Sequence, residues 1–189
     1  MNKTVTIAMG IALALALFPQ PASAGKAGQF EQVFSHYNSI RLALAADSTT
    51  DVPYHTERLA QVAGSLARKA LRDESPKKQE LGRGLREISE IARELGRSSD
   101  LETVRAEFGK LSDALSWFRS NAGVEDTVVV FCPLHNNMWL QRSGDRISNP
   151  YLGETRGRCG EVLNFPQPRW SPERPPRLSP TDDPSGGGS

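Results

Sequence analysis

The sequence predicts a mainly α protein: an antiparallel four-helix bundle, then a cysteine-containing loop and short-strand segment, then a disordered proline-rich tail. Three observations predict it. Apolar residues recur at three- and four-residue spacing in four separate stretches between residues 29 and 120. The connections between those stretches are a few residues long, which makes neighbouring helices run antiparallel. Beyond residue 163, seven prolines and a closing Gly-Gly-Gly-Ser leave too little apolar surface to offset the entropy of ordering the chain.

The first helix is expected over 29–46, with Phe30, Val33, Phe34, Tyr37, Ile40 and Leu44 on one face. Asp47 to Asp51 is turn chemistry, because these short polar side chains bond their own backbone. Pro53 suits a first helical turn, and Leu59, Val62, Ala63, Leu66 and Ala70 stripe a second helix over 53–72. Ser75 followed by Pro76 starts the third, over 76–95, with Leu81, Leu85, Ile88, Ala92 and Leu95 inward. Gly82 and Gly84 weaken that helix by about 1 kcal/mol each relative to alanine. Gly96 ends it, as a left-handed glycine often does. Ser99 with Glu102 forms a capping box for a fourth helix over 100–120. Leu101, Val104, Phe108, Leu111, Leu115 and Phe118 are its stripe, and Asn121-Ala122-Gly123 stops it. Core packing accounts for the apolar stripes, with Phe34, Leu66, Ile88, Phe108 and Leu115 buried, and the charged residues between them read as solvated faces. The β-branched run Thr127 to Phe131 is a short strand.

The ends of the chain carry the compartment. Lys3, an apolar run from Ile7 to Phe18 and the small residues Ala22-Ser23-Ala24 have the form of a cleavable signal peptide over 1–24. The run is shorter than the roughly 20 apolar residues a membrane span needs, so no membrane insertion is expected after cleavage. The exported chain over 25–163 then forms one domain, followed by a tail over 164–189 in which Trp170 is the residue suited to docking. The formal net charge of +1 falls to zero once Lys3 is removed. With no basic stripe and no interleaved aromatics, nucleic acid is not an expected partner. The destination is the periplasm or the exterior, where two cysteines favour a disulfide.

The chemistry is concentrated between Val128 and Glu161. Cys132, His135 and Met138 follow at intervals of three, and Cys159 returns after a loop. Thiolate, thioether and imidazole donors are preferred by Cu(I), with zinc an option for the thiolates and imidazole. The pattern lacks the paired CxxC of a zinc ribbon and the CxxCH of haem attachment. A Cys132–Cys159 disulfide is the rival reading, and it excludes thiolate ligation while it lasts. In either case Asn149-Pro150-Tyr151 with Gly153 is a turn.

Several segments in this stretch stand together in order: Cys132-Pro133-Leu134, Trp139-Leu140, Asn149-Pro150-Tyr151-Leu152-Gly153 and Cys159-Gly160. Arg105, Phe108, Leu111 and Ser112 add an Arg-x-x-Phe-x-x-Leu-Ser pattern in the fourth helix. On these residues the chain, from Phe30 to Leu163, resembles a small helical domain of unknown function. That domain is found at the C-terminus of periplasmic adaptors of Cus-type heavy-metal efflux pumps and as free-standing exported proteins. The resemblance implies a helical fold, a link to soft-metal handling and a component of a heavy-metal efflux system as partner. Leu134 and Arg156 stand where the family usually has methionine, which removes two thioethers from a soft site.

Two functions follow. One is an exported metal-handling protein with Cys132, His135, Met138 and Cys159 as ligands to Cu(I). The other is a non-catalytic interaction domain in which a Cys132–Cys159 disulfide fixes the loop. An enzyme using Cys132 with His135 lacks the third, orienting group that an activated nucleophile needs, so no catalytic residue is assigned.

Overall fold

A computed structural model of the chain describes residues 24–163. The expected signal peptide, Ala24 apart, lies outside the described residues, as do the expected tail and Trp170. Four helices come first: α1 (Ala24–Ala45), α2 (Val52–Leu71), α3 (Pro76–Leu95) and α4 (Leu101–Ala122). Strands β1 (Thr127–Cys132), β2 (Asn137–Arg142) and β3 (Glu161–Leu163) follow, with one 3-10 turn at Glu154–Arg156. The described residues are thus mainly helical, with a small antiparallel sheet of order β2-β1-β3. No helix among them is long and apolar enough to cross a membrane.

The stripes explain how the helices meet. α2 packs on α1 and α3, α3 packs on α4, α1 touches α4, and β2 lies on α4. Phe30, Phe34 and Tyr37 of α1 meet Phe118 and Phe108 of α4 through a run of ring contacts, with Phe30 and Phe118 centroids 6.3 Å apart and Tyr37 and Phe108 5.0 Å apart. Ile40, Leu59, Ile88, Leu95, Leu111 and Leu115 are fully buried with them. Leu66 is only partly buried at the edge of this core, because Ala63 and Ala67 take the inward line of α2.

Local chemistry sets the ends. The fourth helix is capped by Asp100, not by Ser99 with Glu102: the Asp100 carboxylate accepts the Thr103 N–H at 2.9 Å and the Thr103 hydroxyl at 2.7 Å. Gly123 closes α4 in the left-handed region, at φ 71°. Gly96 has an ordinary helical φ of −70°. Glycine is wanted there for room, since a Cβ would come within 2.6 Å of the Thr56 hydroxyl.

Gly84 has a similar reason. A Cβ at Gly84 would fall 2.0 Å from Cζ3 of Trp117, so the edge of the α4 indole presses on the glycine of α3. Helix propensity favours alanine by about 1 kcal/mol, while overpacking a tight contact costs about 1–3 kcal/mol. Gly84→Ala is therefore expected to destabilise the protein by about 1 kcal/mol or slightly more. Urea unfolding checks this, and a gain in stability would show that Trp117 yields without cost.

The sheet exceeds the single strand expected. β1 and β2 form a hairpin from Thr127↔Arg142 to Cys132↔Asn137 with four residues in its loop, and β3 adds on the other side of β1. Tyr37 fastens the sheet to the helices: its hydroxyl accepts the Leu140 N–H at 2.9 Å and lies 2.8 Å from the Ser112 hydroxyl.

Candidate functional site

Cys132 ends β1, and the hairpin loop turns back at once. Pro133 carries no N–H, and Asn136 takes the left-handed conformation at φ 51° that asparagine tolerates. This leaves the His135 N–H facing the Cys132 sulfur and the Leu134 N–H facing both cysteine sulfurs. Successive amides curled round one atom form a cradle for negative charge.

Cys159 comes from the other side. It lies two residues before Glu161, which pairs with Phe131. Gly160 lets the chain arrive flat on the sheet, because a Cβ there would sit 2.6 Å from the Trp139 ring and 2.7 Å from Val130. The two sulfurs stand 3.2 Å apart as free thiols, Cys132 buried and Cys159 partly exposed.

Asn149, fully buried, holds the geometry from below. Its Oδ1 accepts the N–H groups of Tyr151 at 2.8 Å and Leu152 at 3.2 Å. Its Nδ2 donates to the Cys159 carbonyl at 2.8 Å and also reaches the Cys132 sulfur. Two buried arginines grip the backbone on either side. Arg41 donates to the Ser148 carbonyl at 2.9 Å, and Arg105 donates to the Pro150 carbonyl at 2.8 Å. Both had the look of solvated-face residues by sequence position alone, yet each is spent on the turn that carries Asn149.

The two thiols are electrostatically unequal. Burial pushes the Cys132 thiol up, but hydrogen bonds from Cys159, the His135 N–H, Asn149 and the Leu134 N–H outweigh it and hold the group below the ordinary thiol range. Cys159 is raised, first by its hydrogen bond to Cys132, then by burial and by the charge on Cys132. When one proton leaves the pair, the negative charge settles on Cys132.

The other two expected ligands are placed differently. His135 is exposed in the hairpin loop, with its ring stacked on Tyr151 at 5.5 Å and Nδ1 3.1 Å from the Asn137 amide nitrogen. Met138 pairs with Phe131, one register step from the Cys132–Asn137 pair. Side chains alternate across a strand, so its thioether leaves from the sheet face that Cys132 does not share. Its carbonyl is the part in use, accepting the Tyr151 hydroxyl at 2.6 Å. Among the described residues no three His, Cys, Asp or Glu side chains gather in one place, so the donor set here is two thiols.

Asn149, Tyr151 and Gly160 build the site without being chemical candidates. The Asn-Pro-Tyr turn and the Cys-Gly pair marked them in the sequence, but as turn formers only. A family model described as "Protein of unknown function (DUF3347)" matches residues 33–127. No curated protein and no solved structure matches the chain.

Proposed function

The chain belongs to the family of unknown function DUF3347, and from that premise we propose that it is an exported, non-catalytic protein that holds Cu(I) as cargo between Cys132 and Cys159. One observation carries the reading: two sulfurs 3.2 Å apart, one of them cradled by two backbone amides and the Asn149 side chain. The donor set fits a soft ion of low coordination number. Soft thiolates favour Cu(I) and zinc alike, but two thiols fall short of the four protein ligands of a structural zinc site, so the pair suits Cu(I) better. In this reading Cys132 supplies the thiolate that forms first, Cys159 the second one, and Asn149 keeps both in place. The four helices act as an up-down bundle that presents the site at one end, and a heavy-metal efflux component receives the ion.

The same closeness favours a second reading, a structural Cys132–Cys159 disulfide. It needs the sulfurs to approach to about 2.05 Å and would remove both thiolates. The two readings separate by experiment. Anaerobically reduced full-length protein is expected to take one Cu(I) in competition with a chromophoric chelator, and the oxidised protein none. Cys132→Ser should abolish binding, since a hydroxyl stays un-ionised where a thiolate is needed. Met138→Leu should leave the affinity unchanged, because that side chain stands on the other face of the sheet. Failure of the reduced parent to bind Cu(I) would retire the copper reading and leave the disulfide.

A further inference from the structure

We propose that His36 and His55 form a second cation site, a pair of imidazoles between α1 and α2 that takes a borderline divalent ion of the Zn2+ class. The Nδ1 atoms of the two rings face each other at 3.2 Å, with centroids 5.5 Å apart and planes tilted by 43°. Two nitrogens bound to one tetrahedral zinc at about 2.0–2.1 Å stand about 3.3–3.4 Å apart, so the pair is nearly spaced for a shared ion. Right-angle coordination would bring them to about 2.9 Å, a poorer match.

Helix positions create this spacing. Each ring comes from a different helix, the residues are 19 apart in sequence, and both are half-buried, so their reach is limited. The Tyr54 ring stands edge-on against His55 at 5.1 Å and narrows its freedom further. Solvent reaches the half-exposed rings and completes the shell with water. Without metal, a single N–H···N hydrogen bond occupies the same gap, one proton between two lone pairs.

Burial, then His55, then Arg58 push the basicity of His36 down. Arg58 is the opposing charge nearby, and its guanidinium donates to the Gln61 side-chain oxygen Oε1 at 3.1 Å. The ligands are imidazoles on helices, whereas the cysteine site uses thiols on the sheet. The proposal therefore stands or falls independently of the copper reading.

The test uses full-length protein with Cys132→Ser and Cys159→Ser, which removes the thiols, and Zn2+ alone as probe. Calorimetry is expected to show one Zn2+ per chain, and zinc should raise the thermal midpoint by tying α1 to α2. Imidazole 15N spectra of the parent should show the Nδ1 signals of His36 and His55 shifting together on zinc addition. Losing a supporting partner alone costs about 10–100-fold in metal affinity, so His36→Gln and His55→Gln should each cost at least that. His135→Gln should bind like the parent. Unshifted His36 and His55 signals under saturating zinc would overturn the site, as would undiminished binding by His36→Gln or loss of binding in His135→Gln. Should a glutamine variant unfold, the ring spectra of the parent decide.

Discussion

Arg105→Met is expected to lower the unfolding free energy by about 3–5 kcal/mol. The guanidinium is 7% exposed and serves three acceptors: the Pro150 carbonyl at 2.8 Å, the Leu44 carbonyl at 2.9 Å and the Asp47 carboxylate at 2.5 Å. Methionine keeps the stem and removes every donor. Asp47 is 44% exposed and rehydrates, so its share is small. The larger cost is in two carbonyls that lose charged hydrogen bonds, each worth about 1.5–3 kcal/mol. Glu102 adds little, being 80% exposed and 3.6 Å away.

The variant also has a pH signature. Arg105 first, then the Glu154 N–H, holds the Asp47 carboxyl below its ordinary value of 3.8. A depressed carboxylate contributes stability above the unfolded-state value and loses it as pH falls through the folded one. The gap between parent and Arg105→Met should therefore narrow as pH falls below about 4. Urea unfolding at neutral and acid pH measures both quantities. A loss under about 1 kcal/mol at neutral pH would mean that the 148–157 segment is held without Arg105.

Phe108→Ala is expected to cost about 3–5 kcal/mol. The ring is fully buried, stacked on Tyr37 at 5.0 Å and packed near Tyr151 at 6.0 Å. Those two phenols carry the hydroxyls that hold the Leu140 N–H and the Met138 carbonyl, so a cavity at Phe108 loosens β2 as well as the core. Thermal unfolding reads the first effect, and faster alkylation of Cys132 reads the second. Full retention of thiol protection would show that the sheet does not depend on this ring.

The four helices were legible because each stripe repeats through several turns and turn formers punctuate the gaps. The fourth cap was displaced by one residue because Ser99 and Asp100 are both good cap residues, and only the Thr103 bond decides between them. β1 was visible in its β-branched run. β2 was not, since Asn137 to Arg142 has no clean alternation and its hairpin loop, Pro133 to Asn136, lacks a glycine signal.

In the site, both cysteines were evident from residue type, but a spacing of three could not tell which sheet face Met138 would take. Burial of Arg41 and Arg105 was hidden because their carbonyl partners lie 107 and 45 residues away. Asn149 read as a turn former, and its grip on both cysteines depends on a fold that the turn alone does not specify. The His36–His55 pair was likewise invisible, its members standing on two helices whose relative rotation is a tertiary property.

The Tyr37 hydroxyl and the Leu140 amide are 103 residues apart, so the link between the first helix and the hairpin must wait for nearly the whole domain. Contacts of such separation slow folding, because chain closure has to precede the gain. A polypeptide that emerges from its N-terminus has α1, α2 and α3 available to condense while both thiols are still unplaced. In refolding followed by pulsed hydrogen exchange, the Leu140 amide should gain protection after those of α2 and α3. During that interval Cys132 lacks the cover of the sheet, so assembly order would set how long the thiol meets solvent before Cys159 stands beside it.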